Sequence, residues 1–340
     1  MKRKVSLKDI AQHVGVSTAL VSYVLNNQEK EKRVGEEMAA RIRKAAGELN
    51  YQPNQIAKSL KSGKTYTIGL IVADISNPYS ANIARIIEDE AKRNGYTVIF
   101  GSSDENADKS WDLINVLLNR QVDGFIIAPS EDSESQILYL KENNIPVVLI
   151  DRYFPSVPAN YVAIDNCKAA YEAVMHLIRN GYRRIGMITY KTKLFHLQER
   201  VKGYQKAIED SNLLDDQSLI KEARESNLKE EVQQQIDELL SLSEPIDALF
   251  FASNKLAVNG LKHIKNLKIM VPEKLAIVGF DETEAYDLYH CPITYVKQPM
   301  LELGRSAVKL LLDVIKDDSV KDISNLDTEL IIRESSGNKK

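Results

Sequence analysis

Cysteine is scarce in this chain. Cys167 and Cys291 are the only two, far apart and outside any CxxC pair. That excludes a disulfide framework or a zinc site as the organising device, and both thiols are expected to be structural. No apolar run reaches the roughly 18 residues of a membrane span, so no membrane partner is expected. The basic start, "MKRKVSLKDIAQHVG", is not followed by the apolar segment of a secretory signal, which makes the cytoplasm the expected location. GxGxxG after the first β-rich run, GxxxxGK[ST] and GxSxG are all missing, which removes the common nucleotide-binding and nucleophile-elbow signatures. The histidines, His13, His176, His196, His263 and His290, show no HxxxH spacing, and each reads as a surface or capping residue. Neither a metal nor a cofactor nor an enzymatic activity is expected.

What is present is an uneven distribution of charge. The 340 residues carry a formal net charge of −3. Residues 1–64 hold 13 Lys and Arg against 6 Asp and Glu, while the remainder holds 32 against 42. A basic head on an acidic body points to an anionic partner at the N-terminal end, either nucleic acid or a membrane surface. The length suits two or three domains.

In "SLKDIAQHVGVSTALVSYVLN" the apolar residues Leu7, Ile10, Ala11 and Val14 share one helical face. Ser6 is placed to cap that helix, with Asp9 three residues on as a variant capping box. Gly15 supplies a tight turn and Ser17 a second cap. On the second helix Val21, Val24 and Leu25 face inward with Val16, and Thr18, Ala19, Ser22, Tyr23 and Asn26 face outward. Two short helices across a glycine turn make a helix-turn-helix. Small residues at Thr18 and Ala19 permit close approach to a major groove, while the cations Lys2, Arg3, Lys4, Lys8, Lys30, Lys32 and Arg33 flank it where phosphates lie. A third helix, about Glu36 to Leu49, presents Met38, Ile42, Ala45 and Leu49 to the same small core. After Pro53, "NQIAKSL" is a helical patch too short to stand alone, with Ala57 and Leu60 apolar and Lys58 basic. It reads as a linker that folds on meeting DNA and a partner copy.

From Tyr66 onward, β-rich runs such as "TIGLIVA", "DGFIIAP", "PVVLID" and "LAIVGFD" alternate with helical periodicity. This is a βαβ series of about ten strands, which suggests two lobes of parallel sheet flanked by helices. Ligands of such folds sit beyond the carboxyl ends of strands, and several strands here end in polar residues, among them Asp74, Asp151 and Asp281. Tyr79, Tyr153, Phe154 and Tyr190 lie near strand ends, where an aromatic ring can stack on the apolar face of a sugar. No leucine heptad follows the last helix, so a tetramer built on a C-terminal coiled coil is not expected.

The order and spacing of "LKDIAQHVGVSTALVSYVLN", "LNYQPNQIAKSLKSGKTYTIGLIV", "VDGFIIAP", "IPVVLIDR", "GYRRIGMI", "ERVKGYQKAI", "LAIVGFDE" and "ITYVKQP" resemble the lactose-repressor/galactose-repressor family of bacterial transcription regulators, over nearly the whole chain. The resemblance implies an N-terminal all-α helix-turn-helix head (1–51) with a hinge helix (52–65). An α/β two-lobed periplasmic-binding-protein-like (type I) core (66–340) follows, crossed three times by the chain. One lobe would take about 66–164 plus 298–326, the other about 165–297 plus 327–336. It implies a homodimer on a near-palindromic double-stranded DNA operator, controlled by a small molecule, with a sugar favoured. Its DNA-contacting positions fall on Ser17, Thr18, Ala19, Ser22, Tyr23 and Asn26 in the head, and on Asn54, Ala57, Lys58 and the minor-groove wedge Leu60 in the hinge. Its ligand positions fall on Arg200, Asp281 and Asn254, and more weakly on Asn77, Tyr79, Asp151, Arg152 and Asp165. Three departures stand out. Tyr23 occupies a position where members often carry Arg, the segment "NNQEKEKRVGEE" is long, and Lys255 stands where the family frequently has an acid. A purine or phosphosugar corepressor is the alternative effector, and a solute-binding protein without DNA function the alternative of another class.

Overall fold

The computed structural model describes residues 5–51, 63–213, 216–317 and 319–339. The chain divides into two compact units, Met1–Thr65 and Tyr66–Lys340.

The first unit is a three-helix head: α1 (Leu7–Val14), α2 (Thr18–Leu25) and α3 (Glu36–Glu48). Its core is small. Ile10, Val21, Val24 and Ile42 are fully buried, with Ala11, Ala39, Ala45 and Ala46 between them. Burying each of the larger side chains is worth about 1.5–3 kcal/mol, so few of them can be lost. The capping box on α1 forms as its residues indicate: the Asp9 amide donates to Ser6 Oγ (3.3 Å) and the Ser6 amide to Asp9 Oδ2 (2.8 Å). Gly15 ends α1 in the left-handed region, φ 79°, a conformation that costs glycine nothing. The long segment before α3 is anchored by an ion pair between Glu29 and Arg43.

The second unit contains twelve strands among the described residues, in two six-stranded sheets. The first runs β11-β5-β4-β3-β1-β2 and is wholly parallel. It uses β1 (Thr67–Val72), β2 (Thr97–Ser102), β3 (Gly124–Ile127), β4 (Val147–Ile150), β5 (Asn160–Ile164) and β11 (Ile323–Leu326). The second runs β12-β10-β9-β8-β6-β7, with β6 (Ile185–Tyr190), β7 (Ile220–Ala223), β8 (Ala248–Phe251), β9 (Ala276–Phe280), β10 (Thr294–Lys297) and an antiparallel edge, β12 (Glu329–Ile331). The chain therefore passes between lobes after β5, after β10 and after β11. Runs such as Val147–Ile150 and Ala276–Phe280 are buried at every position, as strands covered on both faces must be. The sheets hold more strands than the ten expected. β7 and β11 are short and largely exposed or half-buried, which leaves little apolar signal in their sequences.

Six helices bear on the cleft or its supports: α4 (Pro78–Arg93), α7 (Asn166–Arg179), α8 (Phe195–Asp210), α9 (Leu228–Leu240), α10 (Asn254–Asn266) and α12 (Met300–Lys316). The helices α5 (Ala107–Asn119), α6 (Glu134–Glu142) and α11 (Ala285–Leu288) complete the layers. α7 and α8 approach so closely that a Cβ on Gly203 would lie 2.2 Å from the Cys167 carbonyl oxygen. That glycine allows Arg200, one turn earlier, to reach Asn166. No helix among the described residues is long and apolar enough to cross a membrane.

Candidate functional site

The head offers one outward helical face. Val21 and Val24 fix α2 in the core, which leaves Thr18, Ala19 and Asn26 exposed and Ser22 and Tyr23 half-buried. The Ser17 hydroxyl accepts from the Leu20 amide (3.2 Å), and the Asn26 side-chain amide donates to the Ser22 carbonyl (2.8 Å), so both ends of the short helix are tied. The Lys32 ammonium lies 5.9 Å from the centre of the Tyr23 ring, at the outer limit of a cation–π contact. Lys8, Lys30, Arg33 and Arg41 are exposed and have no carboxylate in salt-bridge contact among the described residues. An uncharged helix flanked by such cations suits a duplex, whose phosphates position a protein and whose groove edges are read at close range. Asn54, Ala57, Lys58 and Leu60 lie outside the described residues.

The second site is a cavity of about 230 Å³ between the lobes of the body. It is small beside the roughly 300–1,000 Å³ of pockets for drug-sized ligands. Two aspartates at strand ends define it: Asp151 after β4 and Asp281 after β9, both in the left-handed region with φ of 69° and 64°. Non-glycine residues adopt that conformation at a cost, and it aims both carboxylates beyond the strands. The Tyr79 hydroxyl donates to Asp151 Oδ1 (2.8 Å), and the Gln298 amide donates to Asp281 Oδ1 (2.6 Å). Burial pushes the Asp281 carboxyl above its ordinary range, opposed by Arg200. Burial, reinforced by Asp151, drives the Tyr79 phenol well above its own, so it stays a donor.

Arg200 enters from α8 and is 3% exposed. Its Nε donates to Asn166 Oδ1 (2.8 Å) and one Nη to the Ala252 carbonyl (2.6 Å), while its guanidinium carbon sits 3.5 Å from the centre of the Phe280 ring. The plane is thereby fixed, and the side chain lines the cavity. Arg152 is held by Glu105 through two parallel bonds of 2.6 and 2.7 Å. Such a fork combines strength with a fixed orientation.

Asn77, Tyr79, Asp151, Arg152, Arg200 and Asp281 thus line one cavity, together with Tyr190. Asn254 stands behind it. Its amide donates to Asn77 Oδ1 across the lobes (3.0 Å) and its oxygen accepts from the Lys255 amide (2.7 Å), which leaves the side chain bridging rather than presented to the cavity. Asp165 is a correction: it lies exposed outside the cavity and caps α7 by accepting from the Lys168 amide (2.9 Å). Two of the aromatic candidates also pack elsewhere, Tyr153 stacked on Tyr161 at 3.8 Å and Phe154 buried in the core.

His196 is the second correction. It is 6% exposed, lines the cavity, and its Nδ1 has no hydrogen-bond partner among the described residues. Burial, with Arg152 and Arg200 beside it, pushes the imidazole well below its usual range, so it is neutral. The signal was its place between Leu194 and Leu197, both buried. Gln298 and Glu105 were also missed, because each acts through a partner remote in sequence.

A regulatory head joined to a two-lobed solute-binding body defines a ligand-responsive, DNA-binding transcription regulator, and the comparisons with known proteins agree. Residues 6–54 match the family "Bacterial regulatory proteins, lacI family", and residues 174–336 match "Periplasmic binding protein-like domain". The transcriptional repressor CytR of Escherichia coli (strain K12) is 33% identical over 331 residues, covering 97% of this chain and 96% of that one. The transcriptional repressor PurR of Aliivibrio salmonicida (strain LFI1238) is 30% identical over 333 residues, covering 97% and 98%. Among solved structures, the transcriptional regulator CelR in complex with cellobiose is 26% identical with a TM-score of 0.72, covering 98% of this chain and all of that one. The lac repressor dimer bound to operator and an anti-inducer shares the fold at a TM-score of 0.87 and 23% identity, covering 98% and 100%. The chain belongs to the lacI family of bacterial regulatory proteins, a family of regulators and not of enzymes.

Proposed function

We propose that the chain acts in the cytoplasm as a homodimeric repressor of a near-palindromic operator, released or tightened by a small polyhydroxyl compound in the interlobe cavity. The observation that carries the reading is the convergence of Asp151, Asp281 and Arg200 on one cavity. Two carboxylates and a guanidinium, each oriented by the protein, accept from and donate to neighbouring hydroxyls, which is the chemistry of sugar recognition. The relative CelR is seen with cellobiose and a LacI-family regulator from Enterococcus faecium with ribose, which supports the same class here.

Thr18, Ala19 and Tyr23 supply discrimination, and flanking cations supply affinity. Effector binding shifts the lobes, and the shift reaches the operator through the segment around Leu60. A coupling of about 1–3 kcal/mol changes operator affinity about 5- to 150-fold. The test is sequencing of genomic fragments retained by the purified protein. Enrichment of one two-fold-symmetric sequence is expected. Retention without sequence preference, by folded protein and with candidate sugars both present and omitted, refutes the repressor reading.

A further inference from the structure

Lys255 lines the cavity, and a lysine there on its own would invite an anionic effector. Its surroundings say otherwise. Lys255 is the second residue of α10 and lines the cavity with its side chain 31% exposed. Its ammonium lies 3.0 Å from Asp74 Oδ2 of the other lobe and is also paired with Glu225 of its own lobe. Burial opposes the charge, and Glu225 and Asp74 more than offset this, so the ammonium holds its proton above the usual lysine range. One cation thus sits between two carboxylates.

The rest of the cavity is also acidic on balance. Six carboxylates line it against four cations. Arg152 is held by both Glu105 oxygens, and its Nε lies 3.4 Å from Asp151 Oδ2. Arg200 is held instead by Asn166 and the Ala252 carbonyl, and burial lowers its proton affinity against the opposing charges of Asp281 and Asp151. Lys191, the remaining cation, is exposed. His196 is held neutral and adds no charge. An entering phosphate or carboxylate thus meets a lining with more negative than positive charge, and at Arg152 or Lys255 it would have to break an existing ion pair, which strands a partly buried carboxylate and is costly.

The structure assigns Lys255, Asp74 and Glu225 to a charge filter, which makes the interlobe site refuse phosphorylated or carboxylated effectors and accept polyhydroxyl compounds without negative charge. The assignment rests on the reading of this cavity as the effector site, and deepens it. It also gives Lys255 a second consequence, since the Asp74 pair ties one lobe to the other.

The probe is inorganic phosphate, added to the full-length protein at constant ionic strength with chloride as control, and read by calorimetry and by the thermal midpoint. The quantity scored is the part of the response that Lys255→Met removes, so binding to other cations does not enter. The natural protein is expected to show none. The double variant Asp74→Asn/Glu225→Gln, which leaves Lys255 without its counter-charges, is expected to gain phosphate affinity about tenfold or more, tenfold being about 1.4 kcal/mol. Should the double variant lose its far-ultraviolet dichroism, Glu225→Gln alone carries the test, since Glu225 is 43% exposed. Lys255-dependent phosphate binding by the natural protein overturns the filter, and so does a folded variant that gains nothing. Failure of the effector reading shows up separately. A protein that refuses phosphate in this assay, yet binds no uncharged sugar, leaves the filter standing and removes the sugar.

Discussion

The head and the body handle cations in opposite ways. In the head, Lys8, Lys30, Arg33 and Arg41 reach solvent with no carboxylate in salt-bridge contact among the described residues, around a helix that carries no charge of its own. In the body, Arg152 and Lys255 line a cavity and are each matched there by carboxylates. Both regions hold lysines and arginines at a candidate site, and only one is built to meet an anion. The difference teaches that the number of positive residues near a site says little about its ligand. What decides is whether the protein has already supplied the counter-charge.

The sharpest way to break the comparison is to remove one side of it. Ile42 is fully buried in a head core of few large residues, and truncating such a side chain costs about 2–5 kcal/mol. Ile42→Ala is therefore expected to abolish DNA binding in a mobility-shift assay while the thermal transition of the body stays in place. Loss of both together would mean that the two units do not fold separately. Asp281→Ala tests the other side. Removing a hydrogen-bond partner that is charged costs about 1.5–3 kcal/mol, so effector affinity by calorimetry should fall by one to two orders of magnitude with operator binding retained. An unchanged effector response would take Asp281 out of the site.

Smaller effects sharpen the picture. Tyr23→Ala should cost about 1–3 kcal/mol of discrimination between the operator and variants at the base pair it meets, leaving effector affinity untouched. Equal losses on all sequences would instead make Tyr23 a phosphate-positioning residue. Ser6→Ala removes one partner of the capping box and is expected to cost the head about 1 kcal/mol, seen as a lowered midpoint of its own transition.

The parts legible in the sequence were those set by near neighbours. Ser6 with Asp9, the Gly15 turn and the Ser17 cap act within a few residues, and all form as their spacing indicates. The fully buried strands announced themselves by apolar runs. Arg200 and Asp281 were assigned through the family resemblance, and the structure places both in the cavity. Partnerships between distant residues were hidden. Lys255 meets Asp74 from 181 positions away, and Arg152 meets Glu105 from 47. His196 was read as a surface residue, although its place between the apolar Leu194 and Leu197 was a local sign that the first turn of α8 faces inward. Asp165 was over-read: directly before a helical segment, an aspartate is first of all a cap.

The most direct test of the central claim is the salt dependence of binding to the recovered operator, measured for the natural protein and for Asp281→Ala. Each phosphate neutralised contributes a slope of about −0.9 in log affinity against log salt. The account predicts a steep slope, equal in the two proteins, with only the natural one responding to an uncharged effector. A flat slope, or one that changes with Asp281, would contradict the division of labour between head and body.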